Sequence, residues 1–358
     1  MSRSQRNLLQ MAPLALLFLL SGCFLDFAGE ITPPAVTQPA PPVDESDPAG
    51  GLLDEAVAVE VPLHPLSIET LRTRTYPGSD FVIEETLAPG VNYNRYVVSY
   101  QSDGLKINAM LTVPQGEKPA EGFPVVIFNH GYIAPDLYRT TERYVAYVDA
   151  FARNGYIVVK SDYRGHGSSE GRAESAYGNP GYVIDVLNAL ASAQRYPEAN
   201  PDQIAMWGHS MGGYITLRAM VANPDIKAGV IWAGVVASYT DLFANWFGRG
   251  GTTNRSGWRS DLIETYGTPE NNPAFWDSLS ANSSLVDLSG PVQLHHGTGD
   301  ATVPYSYSTT LEKQIQAAGK PVELFLYSGD DHNIATNRDI ALMVSVVFFN
   351  QHVAGLYD

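Results

Sequence analysis

The chain has 358 residues, 44% hydrophobic and 17% charged, and carries a formal net charge of -16. That apolar content supports a large core and excludes a mainly disordered protein, while scattered basic residues, 22 against 38 acidic ones, argue against a nucleic-acid partner. Cys23 stands alone, which excludes an intrachain disulfide framework, a zinc cage of thiolates and an iron-sulfur site.

At the N-terminus, Arg3 and Arg6 precede an apolar run from Leu8 to Leu20. The run is too short to cross a bilayer as a helix and has the proportions of a signal peptide. Leu20-Ser21-Gly22-Cys23 resembles a bacterial lipobox. The expectation is a signal peptide over residues 1–22, cleavage before Cys23, and acylation of that cysteine. Several acyl chains would anchor the exported protein stably in a cell-envelope membrane. Residues 31–49 are proline-rich and nearly free of large apolar side chains, so 23–80 reads as a lipidated cysteine followed by a tether. Residues 50–80 are compatible with a tether or with packing on the neighbouring domain.

Residues 81–358 alternate short β-rich runs with amphipathic stretches, which predicts an α/β domain with a mainly parallel central sheet flanked by helices. Tyr93 to Gln101 and Leu105 to Val113 form an antiparallel hairpin around Ser102-Asp103-Gly104. Pro124 to Asn129 is a strand, followed by a helix capped by Thr140 or Thr141 and ending at Asn154-Gly155. Next come a strand at Tyr156 to Lys160 and a helix at Gly181 to Tyr196. They are followed by a strand at Ile204 to Trp207, a helix at Met211 to Ala222 and a strand at Ala228 to Trp232. Residues 237–285, rich in aromatic side chains, interrupt the alternation and predict an inserted cap. Strands at Val292 to His296 and Val322 to Tyr327, with helices near 307–318 and 340–351, complete the domain.

Two segments fit the G-x-S-x-G pattern, Gly167-Ser168-Ser169-Glu170-Gly171 and Gly208-His209-Ser210-Met211-Gly212. A nucleophilic serine needs a sharp strand-to-helix turn with small neighbours, and only the second segment lies between a strand and a helix. Ser210 is therefore the expected nucleophile, and the loop carrying Asp162, Arg164 and Ser169 is expected to be structural. A serine hydroxyl needs a base, itself oriented by an acid. His332 follows the strand Val322 to Tyr327 and is the expected base. Asp300 follows the strand Val292 to His296 and is the expected acid, ahead of Asp287, Asp330 and Asp331. The backbone N–H groups of Met211 and Tyr132 are the expected oxyanion donors, with His130 bracing the loop. No metal or cofactor is expected, because His295 and His296 fall on opposite faces of a strand.

Together Asn129-His130-Gly131, Asp162-Tyr163-Arg164-Gly165, Gly208-His209-Ser210-Met211-Gly212-Gly213, His296-Gly297-Thr298-Gly299-Asp300 and Asp331-His332 resemble the catalytic domain of the prolyl oligopeptidase family. These are serine peptidases of the α/β-hydrolase superfamily that include dipeptidyl aminopeptidases and acylaminoacyl peptidases. The likeness covers roughly residues 95–352. It implies a serine hydrolase that forms an acyl-enzyme on a peptide or small-molecule substrate. The family's usual β-propeller has no counterpart before residue 95, and the oxyanion loop reads His-Gly-Tyr where many relatives have His-Gly-Gly. Both features keep a carboxylesterase acting on acyl or aryl esters as the alternative. A binding module without catalysis is the remaining reading, against which the intact constellation speaks.

Overall fold

The computed structural model describes residues 63–246 and 257–355. Cys23, the signal peptide and the proline-rich stretch lie outside the described residues. The strands are β1 (Val82–Leu87), β2 (Tyr93–Ser102), β3 (Leu105–Pro114), β4 (Phe123–Asn129), β5 (Ile157–Ser161), β6 (Ala199–His209), β7 (Ile226–Trp232), β8 (Val292–Gly297) and β9 (Val322–Tyr327). They form one sheet in the order β1-β2-β3-β5-β4-β6-β7-β8-β9. The first four in that order pair antiparallel, and β5-β4-β6-β7-β8-β9 are parallel throughout.

The helices are α1 (Ile68–Thr73), α2 (Val145–Ala152), α3 (Gly181–Gln194), α4 (Met211–Ala222), α5 (Tyr239–Asp241), α6 (Trp258–Tyr266), α7 (Pro273–Leu279), α8 (Ser306–Ala317) and α9 (Arg338–His352). The central strands β4, β6 and β7 are continuous apolar runs such as Val125-Val126-Ile127-Phe128, as strands covered on both faces must be. One core contains Ile127, Met206, Ile231 and Leu294 with α3 and α4, and the other contains Phe128, Trp207 and Trp232 with α2 and α9. These are the two faces of the sheet, alternating along each strand with period two.

Three expectations are corrected. The domain begins before residue 81: Leu66, Ile68 and Leu71 are buried in the main core, and Arg72 donates to the Val221 carbonyl of α4 at 2.9 Å. Neither Thr140 nor Thr141 caps α2. The Thr140 hydroxyl is taken by the buried Asp162 carboxylate at 2.5 Å, and α2 starts instead after Tyr144, at φ 53°. β6 starts at Ala199, five residues before the apolar run, because Ala199 pairs with Phe123 through backbone groups that carry no hydropathy signal.

The aromatic insertion between β7 and β8 is fastened to the core in its described part. Trp276 and Tyr239 are buried, and the Tyr239 hydroxyl bonds the Tyr177 carbonyl at 2.6 Å and the Tyr214 hydroxyl at 2.7 Å. The buried Arg218 of α4 donates to the carbonyls of Leu66 and Leu279, tying α1 and α7 to the same helix. Replacing Trp276 by alanine should therefore unfold or loosen the insertion, at a cost of about 3–5 kcal/mol read by thermal unfolding.

Candidate active site

In a parallel sheet whose strand order reverses, the crevice beyond the carboxyl ends of the strands at the reversal is the natural ligand site. Here the reversal falls where β5 and β6 flank β4 on opposite sides. Asn129 at the end of β4 pairs with Gly208 at the end of β6, so the segments 130–132 and 209–211 emerge side by side.

Ser210 sits on the turn between β6 and α4 with φ 56° and ψ -118°, a strained conformation for a residue with a Cβ. The turn is feasible only because its neighbours lack side chains. A Cβ on Gly208 would lie 2.3 Å from the Gly212 carbonyl oxygen, and one on Gly212 would lie 1.9 Å from that of Asn129. Gly212→Ala is accordingly expected to destabilise the domain by about 3 kcal/mol or more, measurable by chemical denaturation. The competing Ser169 is structural, as expected: its hydroxyl accepts the Asn108 N–H at 2.9 Å. Arg164 forks onto the buried Asp185 with contacts down to 2.7 Å, and Asp162 accepts from the hydroxyls of Tyr138 and Thr140.

Asp300 and His332 come together from the loops after β8 and β9. His332 Nδ1 lies 2.7 Å from Asp300 Oδ2, and the Asp300 side chain is fully enclosed. The same carboxylate accepts the N–H groups of Thr302 and Val303 on Oδ1 at 2.7 and 2.9 Å, and His296 Nε2 approaches Oδ2 at 3.1 Å. Burial alone would raise this carboxyl's pKa, but the bonds from His296, His332 and the Val303 N–H outweigh it and hold the group well below the ordinary carboxylate range. Asp330 and Asp331 shape the histidine loop. Asp330 accepts from the N–H groups of Asp331, Thr336 and Asn337, and Asp331 from those of Asn333 and Ala335.

The link between the serine turn and the histidine loop runs through His209. Its Nε2 donates to the His332 carbonyl at 2.9 Å, and the two rings lie 4.6 Å apart. Its Nδ1 lies 2.8 Å from the Tyr144 hydroxyl, which also accepts the Gly131 N–H at 2.9 Å. One proton arrangement satisfies every member: Gly131 N–H to Tyr144, Tyr144 O–H to His209 Nδ1, and His209 Nε2–H to His332. Burial is the main reason the His209 pKa falls to about 3, so the ring stays neutral and keeps this arrangement. The chain fixes three loops relative to one another. Tyr144→Phe removes one acceptor and one donor from it, and about 1–3 kcal/mol of stability should go with them, read by thermal unfolding.

Gly131 lies directly over the nucleophile, since a Cβ placed on it would come within 3.2 Å of Ser210 Cβ. The Gly131 N–H is committed to Tyr144, and the expected donor Tyr132 is the next residue of the same loop. Met211 is the first residue of α4, where backbone N–H groups have no partner inside the helix. His130 braces the loop as expected, stacked between Tyr138 and Tyr163 with centroids 4.6 and 4.2 Å away. His295 bonds Gln293 and the Tyr327 hydroxyl, away from the carboxylate. Among the described residues no cluster of metal-ligating side chains occurs.

The sequence model of the prolyl oligopeptidase family matches residues 143–355. The chain belongs to the prolyl oligopeptidase family. It is a serine hydrolase with the family's α/β-hydrolase fold. A peptidase of Bacillus subtilis named YtmA and described as uncharacterized is 25% identical over 250 residues, covering 68% of this chain and 88% of its own. A probable dipeptidyl-aminopeptidase B of Coccidioides posadasii is 27% identical over 269 residues, 72% of this chain. The match spans 27% of that longer protein. Among solved structures, an acetyl xylan esterase from Paenibacillus sp. R4 superposes with a TM-score of 0.60 at 18% identity, covering 78% of this chain and 91% of the esterase. The fold thus serves both peptidases and esterases among the proteins this chain is similar to.

His209, Tyr144 and His296 carry positioning contacts that sequence reasoning does not identify. His209 is the middle residue of the G-x-S-x-G segment, and its placement directly before the serine was the available signal. Nothing in the sequence marks Tyr144, and His296 opens the family-like segment that ends at Asp300 without any local sign of its contact with that carboxylate.

Proposed function

We propose that Ser210, His332 and Asp300 act as nucleophile, base and orienting acid in an acyl-transfer hydrolysis. What supports this reading is a serine on a strained turn whose neighbour His209 donates to the carbonyl of His332, the histidine that is itself bonded to the enclosed Asp300 carboxylate. His332 takes the Ser210 proton as Oγ attacks the substrate carbonyl, and the N–H groups of Met211 and Tyr132 receive the oxyanion. His332 then protonates the leaving group, the acyl-enzyme forms, and water activated by the same histidine releases the acid.

The substrate we propose first is a peptide bond, in keeping with the family and with the peptidase names of the two relatives above. A carboxylesterase is the second reading. It is favoured by the open surroundings of the oxyanion loop, where Tyr132 is 68% exposed among the described residues. Turnover of aminoacyl or prolyl anilides supports the peptidase. Turnover of short-chain nitrophenyl esters with none of the anilides supports the esterase. Failure of both classes, together with no fluorophosphonate labelling of folded protein, contradicts both.

We also propose that Cys23 is the lipid attachment site of an exported, membrane-anchored protein, on the strength of the basic, apolar and small-residue elements that precede it. Cys23→Ala is expected to move the protein from the detergent phase to the aqueous phase on Triton partitioning. Retention in the detergent phase would refute the assignment.

A further inference from the structure

A cleft of about 380 Å³ opens beside the oxyanion loop, lined by Tyr132, Ile133, Arg143, Tyr144, Tyr147 and Asn333. Its two ends are informative. Tyr132 belongs to the loop over Ser210, and Asn333 directly follows His332. The Tyr147 hydroxyl donates to the Asn333 carbonyl at 3.2 Å, so the wall of the cleft is joined to the histidine loop. In the acyl-transfer reading, on which this inference rests, the histidine delivers its proton to the leaving group. A leaving group that extends from Ser210 past Tyr132 toward the histidine loop would enter this cleft.

Arg143 is the cationic side chain of this cleft. Arg164 and Arg72 pair with carboxylates at 2.7 Å, whereas Arg143 has no ion pair and no side-chain hydrogen bond among the described residues. Its backbone is held in an uncommon shape. Arg143 and Tyr144 both have positive φ, 55° and 53°, in succession. The buried Lys160 donates to the Glu142 carbonyl at 2.9 Å beneath this turn, and the Tyr144 hydroxyl pins its other end to Gly131 and His209. Strain retained next to a candidate catalytic loop needs an energetic reason, and presenting a guanidinium to the cleft supplies one. Arg143 thus brings an unpaired positive charge to the aromatic-walled cleft of a chain whose net charge is -16.

We propose that Arg143 is a specificity residue that binds a carboxylate borne by the leaving group. The substrates favoured are then acyl compounds whose departing amine or alcohol carries a free acid, such as the C-terminal residue of a peptide. A guanidinium fits a carboxylate with two parallel N–H donors, and Tyr144 and Tyr147 line the cleft beside it.

The test uses the full chain and two esters with the same acyl group, the acetyl ester of 3-hydroxybenzoate and that of 3-hydroxybenzamide. The wild type should prefer the carboxylate about tenfold or more in kcat/KM, chiefly through KM. The preference should collapse toward parity in Arg143→Gln and persist in part in Arg143→Lys, and it should shrink as salt is raised. Equal handling of the two esters by the wild type, or a preference that survives in Arg143→Gln, overturns the site while leaving the acyl-transfer reading intact. If neither ester turns over, both are read as competitors of fluorophosphonate labelling. Protection by the carboxylate compound alone supports the site, and equal protection, or none, overturns it. No labelling at all overturns the acyl-transfer reading and this site with it.

Discussion

Ser210→Ala is expected to lower kcat/KM by on the order of 10⁴-fold or more on any substrate the wild type cleaves, with folding and thermal stability essentially kept. The alanine removes the only oxygen able to attack from this turn. It leaves the backbone amides of Met211 and Tyr132 in place, so weak residual catalysis over water from charge stabilisation alone would be consistent with the account. The Ser169→Ala control is informative because both serines fit the same sequence pattern. Loss of its bond to the Asn108 N–H should cost about 1–3 kcal/mol of stability and leave kcat near the wild-type value. A large fall in kcat for Ser169→Ala with normal kcat for Ser210→Ala would reverse the assignment of the nucleophile.

Asp300→Asn is the second large effect, a fall in kcat on the order of 10³–10⁴-fold. The carboxylate accepts from two imidazoles and two backbone N–H groups, all of them donors. An amide in its place presents an NH2 to at least one of those donors, which turns the His332 ring to the wrong tautomer or pushes it away from the serine. The same substitution has a pH signature. Because the folded-state pKa of Asp300 is depressed, its ionised form stabilises the fold at all pH values above the ordinary carboxylate range, and this contribution is lost as pH falls through the folded value. The wild type should therefore lose stability relative to Asp300→Asn on going from about pH 5 downward, and unfolding midpoints measured across that range report it. A constant difference between the two proteins down to strong acid would show that the carboxylate is not held by these donors.

Much of the fold is legible in the sequence because it is written in apolar runs and glycines. The helix Met211 to Ala222 has the expected bounds, since a glycine-flanked serine starts it and an apolar face continues it. Strand ends are less legible. Ala199 to Gln203 join β6 through backbone pairing while carrying Pro201 and polar side chains. The start of α2 is hidden for another reason, because the buried Asp162 captures the Thr140 hydroxyl that would otherwise cap it. The same division holds at the site. The choice of Ser210, Asp300 and His332 as candidates rests on strand-end placement and chain order. The contacts of His209 with Tyr144 and His332, and of His296 with Asp300, depend on how loops far apart in sequence meet, which no local pattern encodes.

In the reading we propose, Ser210 is the residue that becomes acylated. The most direct measurement is peptide mapping by mass spectrometry after reaction with a fluorophosphonate. Trypsin separates the two candidate serines, releasing residues 165–172 with Ser169 and residues 196–218 with Ser210. One phosphonyl adduct is expected, on Ser210 within 196–218, abolished in Ser210→Ala and strongly slowed in Asp300→Asn. An adduct on Ser169, or folded protein that takes up no phosphonate, would contradict it.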